Sequence, residues 1–78
     1  HWISFHVNGD KRYYFDSFGS GIMDEVKKYL KEEKDYPILC HNFQIQSFSE
    51  TSCGFYCLLF NLLCDLGYSY EDIIFMLL

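Results

Sequence analysis

Seventy-eight residues with a 50% apolar fraction and 21% aromatic content make one domain at most. A net charge of −5 argues against nucleic acid as the primary ligand, because phosphate neutralisation needs clustered Lys and Arg. The one basic cluster (Lys27, Lys28, Lys31, Lys34) is interleaved with Glu25, Glu32 and Glu33, as on a solvated helix face.

From Trp2 to Val7 large apolar residues alternate with smaller or polar ones, the pattern of a half-buried strand. Asn8-Gly9-Asp10-Lys11 predicts a hairpin turn, with Asn8-Gly9 taking the positive φ angles of a type I′ loop. Arg12 to Phe15 returns as the second strand, and two glycines break the pattern between Asp16 and Gly21. Helical spacing follows over 22–33, with Ile22, Val26, Tyr29 and Leu30 on the apolar side, until Asp35-Tyr36-Pro37 ends it. Ile38 to Ile45 predicts one or two extended segments, clearest over Asn42–Gln46, and 47–52 predicts a polar loop. Cys53 to Leu66 predicts a central buried helix stopped by Gly67. Ser69 to Asp72 has capping-box spacing and opens a last helix through Leu78. The order is β-β-α-β-α-α, an α+β fold.

The apolar run 55–63 is too short to cross a bilayer, which takes about 20 apolar residues, so no membrane is implied. The four cysteines could suggest disulfides, but Cys53, Cys57 and Cys64 fall on one helical stripe, which disfavours bridges among them. Reduced thiols in an intracellular or intravirion setting follow. Zinc is set aside: no C-x₂-C or H-x₃-H pair is present, and one helix stripe cannot converge on an ion. No cofactor is implied.

Cys53 stands apart from the other thiols. It lies in Thr51-Ser52-Cys53-Gly54-Phe55-Tyr56-Cys57, where a polar turn meets the apolar helix. The N-terminal end of a helix favours a thiolate. A thiol nucleophile also needs a base, a group that orients the base, and donors for the oxyanion. His1 can be the base. Pairing about the Asn8-Gly9 turn would set residue i opposite roughly residue 17 − i, bringing His1 across from Asp16, its orienter. Gln46, seven residues before Cys53, can add its amide to the oxyanion site, and Gly54 leaves space for a substrate backbone.

Each residue also has an ordinary reading. His1 could be an arbitrary terminal residue, Asp16 a turn cap, Gln46 a surface strand residue and Cys53 a small buried hydrophobe. Cys57 and Cys64 are read as buried hydrophobes. His6, on the polar side of its strand, and His41, ahead of a strand, are read as structural or solvated.

Taken in order, His1-Trp2, Phe15-Asp16-Ser17-Phe18-Gly19, Gln46 and Ser52-Cys53-Gly54-Phe55-Tyr56-Cys57 resemble the adenovirus-type (adenain-like) cysteine proteases. That superfamily includes the SUMO- and ubiquitin-like-specific proteases and the proteases of Maverick- or Polinton-type mobile elements. The resemblance spans about residues 1–64 and implies a papain-like core with the nucleophile on its central helix. It implies His1 as base, Asp16 as orienter, Cys53 as nucleophile and Gln46 as oxyanion donor, with Trp2 walling the site. The seven-residue Gln–Cys spacing and Phe18-Gly19 are similar to the viral branch. Asp16 followed by Ser17, where adenoviruses have Glu and Pro, is closer to the cellular or mobile-element relatives.

The implied function is cleavage of precursor proteins at small or Gly-containing sites, as a viral or virus-like maturation endopeptidase. The alternatives are a protease that removes ubiquitin-like modifiers, or a catalytically silent interaction module of the same fold. The implied partner is a protein or peptide substrate, with an activating peptide left open. Nucleic acid is disfavoured by the charge of this chain, although the full-length protein could carry a surface for it elsewhere. The implied location is intracellular, in the virion or host nucleus if viral. The chain starts on the histidine and stops inside an apolar run, so 1–78 is expected to be a truncated catalytic core. It is expected to expose an apolar patch and associate when alone.

Overall fold

A computed structural model describes residues 2–32, 34–45 and 53–78, with Cys53 described in its backbone only. The elements are β1 (Ser4–Asn8), β2 (Lys11–Phe15), α1 (Asp24–Leu30), β3 (Ile38–Leu39), α2 (Cys53–Asp65) and α3 (Tyr70–Leu77). The molecule is a small α+β domain in the order β-β-α-β-α-α. Its mixed sheet runs β1-β2-β3, with β1 antiparallel and β3 parallel to β2. The parallel step needs a crossover, and α1 supplies it.

The hairpin differs from the expected register. Asn8 pairs with Lys11 and Ser4 with Phe15, so the loop is Gly9-Asp10 rather than Asn8-Gly9. Gly9 has φ +61° and no other residue type among those described has positive φ, which fits a type II′ loop with glycine first. A type I′ loop would have required positive φ at Asn8, a strain that a glycine one position later avoids. The pairing is therefore shifted by two residues. Continued by one step, it sets Asp16 level with Ile3, whereas the expected register set it level with position 1; His1 itself lies outside the described residues.

The shift keeps each side chain on its face, because strand side chains alternate with period two. Phe15 stacks on Phe60 of α2 at 4.8 Å between ring centroids. Tyr13 meets Tyr70 of α3 edge-on at 5.3 Å, and Tyr70 donates its hydroxyl to the Tyr14 carbonyl at 2.8 Å. With Cys57, Cys64, Ile73, Ile74 and Leu77 these form the core between the sheet and α2/α3. On β1, however, buried Ser4 and half-buried His6 face these helices while Phe5 and Val7 stay exposed, opposite to the expected apolar-inward alternation. The reason is a long-range contact: buried Ser4 donates its hydroxyl to exposed Asn61 of α2 at 2.5 Å and is satisfied there. The seven-residue α1 buries Leu30 but only partly shields Phe5, through the Tyr29 ring.

α1 ends at Leu30, three residues short of expectation, with Lys31 as its C-cap. Buried Arg12 donates Nε–H to the Leu30 carbonyl at 3.2 Å and reaches the Gly9 and Lys11 carbonyls through Nη1. That guanidinium joins the hairpin loop to the helix end, where a cation is favoured.

α2 buries Cys57, Phe60 and Cys64, so the reading of two cysteines as packing residues holds. The helix is not buried all round: Phe55, Leu58 and Leu62 on it, and Leu66 just beyond, are exposed. Gly67 N–H to the Cys64 carbonyl and Tyr68 N–H to the Leu63 carbonyl close its end in a Schellman arrangement. Ser69 caps α3, accepting from the Asp72 N–H at 3.2 Å as expected. No helix among the described residues is long and apolar enough to cross a membrane.

Candidate active site

One end of the sheet, where β1 begins and β2 finishes, gathers the described parts of the candidate site. Asp16 follows β2 directly and is only 4% exposed. Its Oδ1 accepts the Phe18 N–H at 2.9 Å, its Oδ2 accepts the Ser20 N–H at 3.3 Å, and its carbonyl accepts the Gly19 N–H at 2.9 Å. The residue therefore performs the turn-capping role open to any Asp before Ser. It also lines a hollow of about 500 Å³ with Ile3, Tyr14, Phe18 and Met23, on the sheet face that carries α1.

Trp2 stands on the α2 side of the same end, 64% exposed. A Cβ added to Gly54 would sit 3.5 Å from the indole Cδ1, Cε2 and Nε1, so the ring lies against the first turn of α2. A side chain at position 54 would meet the indole at ordinary contact distance, so the approach does not depend on glycine. α2 begins at Cys53 and carries no acidic side chain in its first turn. The Cys53 side chain, His1 and Gln46 lie outside the described residues; of the predicted tetrad, the Asp16 side chain is described.

The segment leading to Gln46 differs from its predicted form. Residues 42–45 form no strand, and β3 is confined to Ile38–Leu39. His41 follows β3 rather than preceding a strand, and its Nδ1 lies 2.9 Å from the Phe43 carbonyl. That local bond diverts the backbone from the sheet. The chain then docks on the Asp16 turn, with the Ile45 N–H donating to the Ser17 carbonyl at 2.8 Å. The glutamine thus follows a residue anchored beside Asp16.

Chemistry separates the remaining groups. Burial, helped by Asp65, pushes the Cys64 thiol up to about 11, which suits a packing residue and not a nucleophile. Burial pushes the His41 imidazole down from its ordinary value, so the ring is neutral at pH 7 and Nδ1–H is the donor to Phe43. Cys40 is exposed and Cys57 buried.

Sequence reasoning placed Gly19 in the motif that follows Asp16 but gave it no contact, and missed His41 and the Phe43–Ile45 segment as parts of this end. Asp-Ser-Phe-Gly is readable as an Asx turn closed by a left-handed glycine. Nothing in the sequence pairs that turn with His41 and Phe43. The chain matches no protein-family model, no curated protein and no solved structure.

Proposed function

We propose that this chain is the catalytic core of a cysteine endopeptidase of the adenovirus-protease type, with a papain-like core and precursor proteins as substrates. One observation carries the reading: Trp2, bonded to His1, packs on Gly54, bonded to Cys53, at the end of the sheet that bears Asp16. Ile45, bonded to Gln46, is tied to Ser17 of the same turn and supports the fourth member.

In this reading the Cys53 thiolate attacks the scissile carbonyl carbon, its proton held by His1. The oxyanion takes hydrogen bonds from the Cys53 N–H and the Gln46 amide. The C–N bond breaks as His1 passes the proton to the leaving amine, and water activated by His1 then releases the acyl group. Asp16 orients the imidazole. Trp2 over Gly54 makes a flat wall suited to small residues at the cleaved bond.

A second reading has one observation in its favour. The Asp16 carboxylate already holds Phe18 and Ser20, as it would in a silent module of this fold. A mechanism-based thiol probe and a fluorogenic peptide amide ending in Gly separate the two. The peptidase hydrolyses the amide, and Gln46→Ala lowers turnover by about 10²–10³ with little change in melting temperature. Absence of both Cys53 labelling and hydrolysis sinks the enzyme reading. Preference for a ubiquitin-like C-terminal fusion over the Gly-ending peptide would move the substrate class to modifier removal.

A further inference from the structure

We propose that Gly19 and His41 are positioning residues, which hold Asp16 by clamping its turn against the segment that ends at Ile45. What Asp16 does for catalysis rests on the peptidase reading. The clamp rests on geometry.

Gly19 has φ +67°, and a Cβ there would overlap the Phe43 carbonyl and sit 3.0 Å from the Phe43 nitrogen. These are backbone atoms, which cannot swing aside as a flexible side chain would. The carbonyl is itself held by His41 Nδ1–H at 2.9 Å. The imidazole, 9% exposed, is packed between the rings of Phe15 at 5.4 Å and Phe43 at 5.1 Å, which fixes its direction. Two residues on, the Ile45 N–H reaches the Ser17 carbonyl at 2.8 Å.

The turn is thus gripped from outside at Ser17 and Gly19. From inside it is closed by the Asp16 carboxylate on Phe18 and Ser20. A carboxylate bonded to two amides of its own turn moves when that turn moves. A Cβ at position 19 must separate the turn from Phe43, and Asp16 is carried with it. A displacement of about 1 Å in a catalytic group costs on the order of 10²-fold in rate.

The test uses the fluorogenic peptide amide ending in Gly, iodoacetamide alkylation of Cys53, and amide exchange at Ile45. Gly19→Ala should lower kcat about 10²-fold with KM little changed and speed Ile45 exchange. Combined with Asp16→Asn it should cost almost nothing beyond Asp16→Asn alone, because both act through one carboxylate. His41→Asn retains a donor near the Nδ1 position and should keep more kcat than His41→Leu. That pair decides the matter if Gly19→Ala does not fold. Unchanged kcat in Gly19→Ala with Ile45 exchange raised, or losses that add fully to those of Asp16→Asn, would overturn the positioning role. Unchanged Ile45 exchange would overturn the clamp. If the unsubstituted protein neither cleaves the peptide nor alkylates selectively at Cys53, the peptidase reading fails and the catalytic role with it, while Ile45 exchange still decides the clamp.

Discussion

Thiol selectivity at mildly acidic pH tests the chemistry assigned to Cys53 against the burial of its neighbours. With its thiol pushed up to about 11, Cys64 is ionised to roughly 1 part in 10⁵ at pH 6. A nucleophilic thiol activated to a pKa near 6 would be about half ionised there. The less acidic thiolate is intrinsically more reactive, which returns about 10²–10²·⁵ of that difference. The net preference for Cys53 over Cys64 is then roughly 10²–10³ at pH 6, before the 7% exposure of Cys64 slows it further. At pH 9 the ionisation advantage shrinks to about 10², and the nucleophilicity offset nearly cancels it. Selectivity should therefore be high at pH 6 and fall as pH rises. Timed iodoacetamide labelling with peptide mapping at the two pH values reads this directly. Modification of exposed Cys40 ahead of Cys53 at pH 6 would refute the activation of Cys53. A Cys53-to-Cys64 ratio that does not change with pH would show that burial alone sets the pattern.

Asp16→Asn keeps one acceptor for the turn but alters both the Phe18 and Ser20 contacts, so about 1.5–3 kcal/mol of stability is at stake. Peptide hydrolysis should fall by on the order of 10³–10⁴ at every pH where the protein is folded, and a mere shift of the optimum would remove Asp16 as orienter. For His41 the folded pKa is lowered, so the unfolded chain takes up its proton first, near 6.5, and stability must fall as pH drops below that value. Denaturation midpoints between pH 7 and 5.5 should show the fall, and His41→Phe should abolish it. Leu58→Ser with Leu62→Ser removes exposed apolar surface without opening the core and should reduce self-association in sedimentation experiments at an unchanged melting temperature. A lowered melting temperature would mean that these leucines pack in the folded chain.

Local chemistry explains what was readable from the sequence. Element order followed from periodicity and from breakers: Gly67 stops α2, and Ser69 with Asp72 opens α3. Cys57 and Cys64 announced themselves as packing residues by spacing along an apolar helix, and both are in the core. Asp16 was singled out together with its alternative as a turn cap, and the cap is formed. Other features needed partners distant in the chain. The two-residue register shift turned on which residue of Asn8-Gly9-Asp10 would take positive φ, a choice among near-equal local options. Ser4 could be buried because Asn61, 57 positions away, accepts its hydrogen bond, which no alternation pattern contains. The strand expected from 42 onward is not formed over 42–45 because the His41 ring takes the Phe43 carbonyl and Ile45 bonds Ser17 in place of a sheet neighbour. Sequence by itself thus determined the elements, their order and the residue types able to do thiol chemistry, since these depend on neighbours a few positions apart. Only the tertiary structure decided what braces the Asp16 turn and that Trp2 lies on Gly54, because each is a contact between segments whose approach is set by packing.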